Sequence, residues 1–184
     1  GGVMAMPHYP DALLQRAAKI RLVGFDVDGT LTDGRLHYAS DGHETKSFHV
    51  QDGMGLVLLR EAGIELALVS ARISPLVAAR GSELKIAHVH VGERSKLACM
   101  QGIAAGMGIG MDAVAFMGDD LPDLATLRSV GLAIAPANAH HWVLAAAHWV
   151  TPRNGGEGAA RDACDLLLHA QGKVEAILAH GEHP

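Results

Sequence analysis

Residues 24–34, "GFDVDGTLTDG", place two carboxylates, Asp26 and Asp28, two positions apart at the end of an apolar run. The run before them contains Ile20, Leu22, Val23 and Phe25 and has the composition of a buried strand; Gly29 and the threonines after it mark the turn that ends the strand. Taken alone, Asp-x-Asp-Gly is turn chemistry, because Asp and Gly both favour turn conformations. A charged pair at the mouth of a core strand gains functional meaning from what stands at the ends of the other strands.

Working outward, apolar strand patterns fall at 20–27, 64–69, 87–91, 113–117 and 131–135. Helical patterns fall between and around them at 11–19, 54–61, 75–84, 95–106, 121–130 and 139–146. This alternation predicts an α/β fold: a doubly wound, mainly parallel, Rossmann-like sheet with helices on both faces, in one domain spanning 1–184. Ligands in such sheets lie beyond the carboxyl ends of the strands. Residues 34–50, "GRLHYASDGHETKSFHV", interrupt the pattern. With Leu36 and Tyr38 before "SDG" and Phe48 and Val50 after it, they predict a projecting β-hairpin. The span from Asp33 to Glu65 holds only this hairpin and one helix, so no cap domain is expected over the site. Residues 151–172, "TPRNGGEGAARDACDLLLHAQG", read as a Gly-rich loop followed by a helix.

Composition narrows the function classes. At 184 residues and 49% hydrophobic, the chain can bury one substantial core. A formal net charge of −5, with scattered Lys and Arg, lacks the basic footprint of a nucleic-acid binder. No apolar run approaches the roughly 20 residues of a membrane helix, and the N-terminus lacks signal-peptide order, so a cytoplasmic protein is expected. Cys99 and Cys164 stand on separate predicted helices without partners at metal-ligand spacing and are expected to be free core thiols. The twelve histidines include His88 and His90 on one strand and adjacent His140 and His141; none has the spacing of a zinc helix.

Four polar signatures fall at strand ends or helix starts: Asp26 and Asp28 after the first strand, Ser70 after the second, Lys96 at a helix start, and "GDDLPD" (118–123) after the fourth. Each has a structural reading by itself; Asp120 or Asp123, for example, is a natural helix cap. Together they form a phosphoryl-transfer set. Asp26 is the expected nucleophile, accepting the phosphoryl group as an aspartyl-phosphate. Asp28 is the expected acid for the departing alkoxide and then the base for the hydrolytic water. Several carboxylates facing a phosphate dianion require a cation, and Mg²⁺ fits, held by Asp26 and Asp119 carboxylates and the Asp28 main-chain carbonyl. Lys96 and the Ser70 hydroxyl, with nearby backbone N–H groups, are expected to hold the phosphoryl oxygens.

These motifs, Asp26-Val-Asp28-Gly-Thr, Ser70, Lys96 and Gly118-Asp119-Asp120, resemble those of the haloacid dehalogenase superfamily of phosphotransferases. The blocks "DGTLTDGRLHY", "FHVQDGMGL", "MGDDLPDL" and "GGEGAARDACDLLLHAQGK" resemble, over nearly the whole chain, its capless phosphatases of 3-deoxy-D-manno-octulosonate 8-phosphate (KDO 8-phosphate). That resemblance implies a Mg²⁺-dependent step in lipopolysaccharide sugar biosynthesis and a homotetramer with active sites shared between subunits. It implies sugar-acid contacts at His49, Gln51, Asp52, Gly53, Arg72 and Arg80. It further implies a flexible lid at Gly155, Gly156, Gly158 and Arg161, with Arg161 reaching a neighbour's substrate; the alternative is a plain loop before a helix. The sequence departs from the family at Gln51, commonly Arg, at Val57, often basic, and at Ser70-Ala71-Arg72, usually Thr-Gly-Arg. The rival readings are a phosphatase of a nine-carbon sialic-type acid 9-phosphate and a non-catalytic oligomerisation module. Retention of Asp26, Asp28, Lys96 and Asp119 argues against the module.

Overall fold

Short continuous apolar runs, buried on both faces, build the sheet, and the structure, a computed structural model, describes residues 7–184. The chain runs through α1 (Asp11–Ala18), β1 (Leu22–Phe25), the ribbon β2 (His37–Tyr38) and β3 (Glu44–Thr45), then α2 (Val50–Glu61), β4 (Glu65–Val69) and α3 (Pro75–Glu83). It continues through β5 (His88–His90), α4 (Lys96–Met107), β6 (Val114–Met117), α5 (Leu124–Leu127), β7 (Leu132–Ala135), α6 (His141–Leu144), β8 (Trp149–Val150), α7 (Ala159–Ala170) and α8 (Val174–His180). Six strands form one sheet in the order β5-β4-β1-β6-β7-β8, with every pairing parallel. Val23, Phe25, Leu66, Leu68 and Met117 face a core closed by α1, α2 and α7. Leu22, Ala67, Val69, Val114 and Phe116 face a second core closed by α4, Leu127 and Val143. Helices therefore cover both faces, as expected for a doubly wound fold.

Register sets the active edge. Phe25 is level with Leu68 on one side and Met117 on the other, so the residues that follow β1, β4 and β6 emerge together. The polar signatures read from the sequence all leave from this edge, at the point where strand order reverses around β1.

Three expectations change. The hairpin is shorter than 34–50: only His37–Tyr38 and Glu44–Thr45 pair. His49 caps α2 by accepting the Gln51 N–H at 3.1 Å, which draws Val50 into the helix, and Phe48 packs against the core beneath the Arg80 guanidinium. Residues 121–130 split into a 3₁₀ turn, Leu121–Asp123, and the short α5, because Asp120 and Asp123 close a capping box there. The Gly-rich segment is packed rather than free. Gly156 N–H donates to the Thr30 carbonyl at 3.1 Å, and a β-carbon on Gly155 would collide with the Gly29 carbonyl. Helix α7 then buries Cys164, Leu166, Leu167 and Leu168. At about 1.5–3 kcal/mol per buried leucine, those three contribute on the order of a whole domain's net stability of about 5–15 kcal/mol, so the helix is part of the core and not a tail.

Candidate active site

The loop after β1 folds tightly because the Val27 carbonyl accepts N–H bonds from Thr30, Leu31 and Thr32 at 3.2, 2.9 and 3.1 Å. Gly29 adopts φ +88°, and a β-carbon there would strike the Asp119 carboxylate, so glycine is required on both counts. This turn separates the two aspartates. Asp26 is buried and points toward the centre, where Lys96 Nζ donates to its Oδ1 at 2.7 Å. Asp28 is half-buried and turns toward the hairpin, where Lys46 Nζ donates to its Oδ1 at 2.6 Å.

Lys96 opens α4 and is itself buried; its ammonium also donates to Asp123 Oδ1 at 2.8 Å. Burial works against that charge, and the carboxylates of Asp26 and Asp123 hold it in place and raise the lysine's pKa. Asp123 accepts the backbone N–H groups of Asp119 and Asp120 through Oδ2, at 3.0 and 3.2 Å. It therefore fixes the loop after β6 and orients Lys96, while Asp120 caps the 3₁₀ turn through Leu121 N–H at 2.7 Å. Ser70 is buried at the end of β4, with its N–H on the His90 carbonyl at 2.9 Å. Arg72 donates to the Tyr38 hydroxyl at 3.1 Å and lies 3.2 Å from Glu44, tying the hairpin to the site mouth. Its buried Nη1 has no aligned hydrogen-bond acceptor.

Asp26, Asp28, Ser70, Arg72, Lys96 and Asp119 line one open cleft of about 300 Å³, enough for a small ligand. Burial pushes the Asp26 carboxyl up to about 7, opposed by Lys96 and reinforced by the Asp119 carboxyl within hydrogen-bonding reach. Burial and the Asp26 charge likewise push Asp123 up to about 6. Carboxylate oxygens of Asp26, Asp119 and Asp123 lie within 4.8 Å of one another, against the single ammonium of Lys96. An all-oxygen donor set with uncompensated negative charge fits Mg²⁺.

The remaining sequence candidates lie elsewhere on their own chain. Asp52 is buried and accepts the Arg161 N–H at 2.8 Å, which caps α7. Gly53 is buried where the Arg80 guanidinium crosses it, and Arg80 pairs with Glu83 at 3.1 Å. His49 caps α2. The Arg161 side chain pairs with Asp165 at 2.8 Å and approaches the Gln51 carbonyl at 3.4 Å. Gln51 is exposed and bonds the Arg153 guanidinium, so a cation stands beside this position although the position itself is not Arg. Sequence reading missed Lys46, whose pairing with Asp28 depends on the hairpin folding back over 18 residues.

Comparison with known proteins gives a concordant picture. A family model for haloacid dehalogenase-like hydrolases matches residues 73–161. The chain is 41% identical over 165 residues to the 3-deoxy-D-manno-octulosonate 8-phosphate phosphatase of Yersinia pestis, covering 90% of this chain and 88% of that protein. It is 39% identical over 163 residues to the same phosphatase of Escherichia coli (strain K12), covering 89% and 87%. Among solved structures, the Moraxella catarrhalis 3-deoxy-D-manno-octulosonate 8-phosphate phosphatase, in complex with magnesium ion, phosphate ion and KDO, superposes with a TM-score of 0.92 at 40% identity, covering 95% of this chain and all of that one.

Proposed function

The chain belongs to the haloacid dehalogenase-like hydrolases and, within them, to the KDO 8-phosphate phosphatases, and from that premise we propose that it hydrolyses KDO 8-phosphate to KDO and inorganic phosphate in lipopolysaccharide sugar biosynthesis. The observation that carries this reading is Lys96 bridging Asp26 and Asp123 beside Asp119, at the floor of a cleft whose wall holds Asp28.

In the proposed reaction, an Asp26 carboxylate oxygen attacks the phosphorus as the bond to the sugar oxygen breaks, giving an aspartyl-phosphate and an alkoxide. Asp28 delivers a proton to that alkoxide and then takes one from the water that attacks the phosphorus, releasing phosphate and restoring Asp26. Lys46 holds the Asp28 carboxylate toward the cleft. Lys96 holds Asp26 and receives phosphoryl oxygens together with the Ser70 hydroxyl. Mg²⁺, held by Asp26, Asp119 and the Asp28 carbonyl, supplies the positive charge that lets a phosphate dianion approach these acids. The Arg72 guanidinium, which lines the cleft and is paired with Glu44 there, is the cation we assign to the sugar acid's carboxylate.

The assembly we propose is a homotetramer in the cytoplasm. The cleft is open and no cap lies between the first two motifs, while Leu36, Tyr38 and Ile73 stand exposed around its mouth at 47, 61 and 81%. His49, Gln51 and Arg80 lie outside their own chain's cleft, so a substrate contact from them would have to be made in a neighbouring subunit's cleft. Among the described residues, no helix is long and apolar enough to cross a membrane.

The test is phosphate release from KDO 8-phosphate by the wild type with Mg²⁺, with EDTA, and by Asp26→Asn with Mg²⁺. Turnover is expected only in the first case. Folded Asp26→Asn protein with near wild-type turnover would overturn the covalent route.

A further inference from the structure

Strand β5 is the edge strand of the sheet, and the chain leaving it turns at Gly92, φ +69°, before entering α4. That turn carries the first two turns of α4 back over the strand end. His90, Glu93 and Cys99 meet there. An imidazole nitrogen, a carboxylate oxygen and the thiol sulfur all lie within 4.8 Å of one another, with His90 Nδ1 3.8 Å from Glu93 Oε1. All three side chains are half-buried along a surface groove. The His88 ring stacks against His90, with centroids 6.4 Å apart and planes at 11°, restricting the orientation of the second imidazole. Cys99 is therefore not the core thiol that its apolar helix suggests; only Cys164 is fully buried.

The donor chemistry selects the ion. Mg²⁺ and Ca²⁺ take oxygen ligands, and a mixed nitrogen, oxygen and sulfur set suits Zn²⁺, which accepts His, Glu and Cys and tolerates three protein ligands with water in the fourth place. The same stretch of backbone frames the catalytic cleft. Ser70 N–H donates to the His90 carbonyl at 2.9 Å, Glu93 N–H donates to the Ser70 carbonyl at 3.0 Å, and Lys96 lies between Glu93 and Cys99. We propose that His90, Glu93 and Cys99 form a second cation site, of the zinc class and separate from the acidic phosphate site. Binding replaces the thiol proton with a metal–sulfur bond and releases that proton to solvent.

The experiment titrates full-length protein, its acidic site saturated with excess Mg²⁺, with Co²⁺ as a spectroscopic stand-in for Zn²⁺. A thiolate-to-cobalt charge-transfer band should grow to one equivalent per chain, since oxygen ligands alone produce none. The band should vanish in Cys99→Ser, and His90→Gln should weaken binding roughly tenfold or more, with Mg²⁺-dependent turnover of both variants unchanged. Zn²⁺ should also slow reaction of the folded protein with a thiol reagent, a readout specific to Cys99 because Cys164 is buried, and should raise the Tm of wild type but not of Cys99→Ser. No band, a band that survives Cys99→Ser, a thiol reactivity indifferent to Zn²⁺, or an equal Tm rise in both proteins would overturn the proposal.

Discussion

Lys46 shows how a single side chain connects the hairpin to the chemistry. Its side chain is 2% exposed, and its ammonium donates to Asp28 at 2.6 Å and to Glu44 at 3.1 Å. Charge-assisted hydrogen bonds of this kind contribute about 1.5–3 kcal/mol, so Lys46→Met should lower kcat by roughly tenfold to a hundredfold. KM should change less, because the lysine positions Asp28 rather than binding the phosphoryl group; steady-state kinetics on folded variant protein measure the split. A raised KM with unchanged kcat would instead place Lys46 in substrate binding. The grouping of Asp26, Asp28, Ser70, Lys96 and Asp119 at one cleft was legible in the sequence because each follows an apolar strand or opens a helix, and parallel register brings those strand ends to one edge. Lys46 was not, since nothing local in "HETKSF" tells that its side chain returns to Asp28. His90, Glu93 and Cys99 were hidden for the same reason: their separations of three and six residues match no helical metal motif, and the turn at Gly92 creates the cluster.

At the scale of elements, the sheet's far side contains a pH-sensitive join. His148 precedes β8 and binds β7 twice: its N–H donates to the Ala133 carbonyl at 2.8 Å, and its Nδ1 accepts the Ala133 N–H at 2.8 Å. That second bond needs an unprotonated nitrogen, and burial, aided by the nearby Arg16 charge, holds the His148 pKa below its usual value. The unfolded chain then binds more protons than the folded one in mild acid. The stability from this histidine should be fully present above about pH 6.5 and lost as pH falls through the lowered folded value. Melting curves of wild type and His148→Gln between neutral and mildly acidic pH should diverge, with wild type falling more steeply; parallel curves would contradict this account. The Gly-rich segment teaches a different lesson about elements. Glycines in "NGGEG" read as a flexible lid, yet Gly155 is glycine because it packs directly on the catalytic loop, and composition cannot separate freedom from close approach. The hairpin boundary moved for a related reason: the His49 cap claims Val50 for α2, which apolar alternation alone assigns to a strand.

For the whole molecule, an open cleft and an exposed ribbon point the same way. A two-stranded ribbon is marginal by itself in water, and Leu36 and Tyr38 leave it with an apolar surface that symmetric association would cover. Light scattering should report about four chains per particle, and a stable, fully active monomer would contradict the shared-site assembly. Removal of the chain from Asn154 onward should unfold the protein rather than merely open the site, since α7 supplies much of one core layer. Substrate choice belongs to this scale too, because Arg72 lies in the chain's own cleft whereas Gln51 and its partner Arg153 lie outside it. The central claim, that this chain is a KDO 8-phosphate phosphatase, is tested most directly by kcat/KM measured with Mg²⁺ across KDO 8-phosphate, a nine-carbon sialic-type acid 9-phosphate and simple hexose phosphates. The account predicts the highest value for KDO 8-phosphate and a clearly lower one for the nine-carbon compound; a higher value for the nine-carbon acid phosphate or for a hexose phosphate would contradict it.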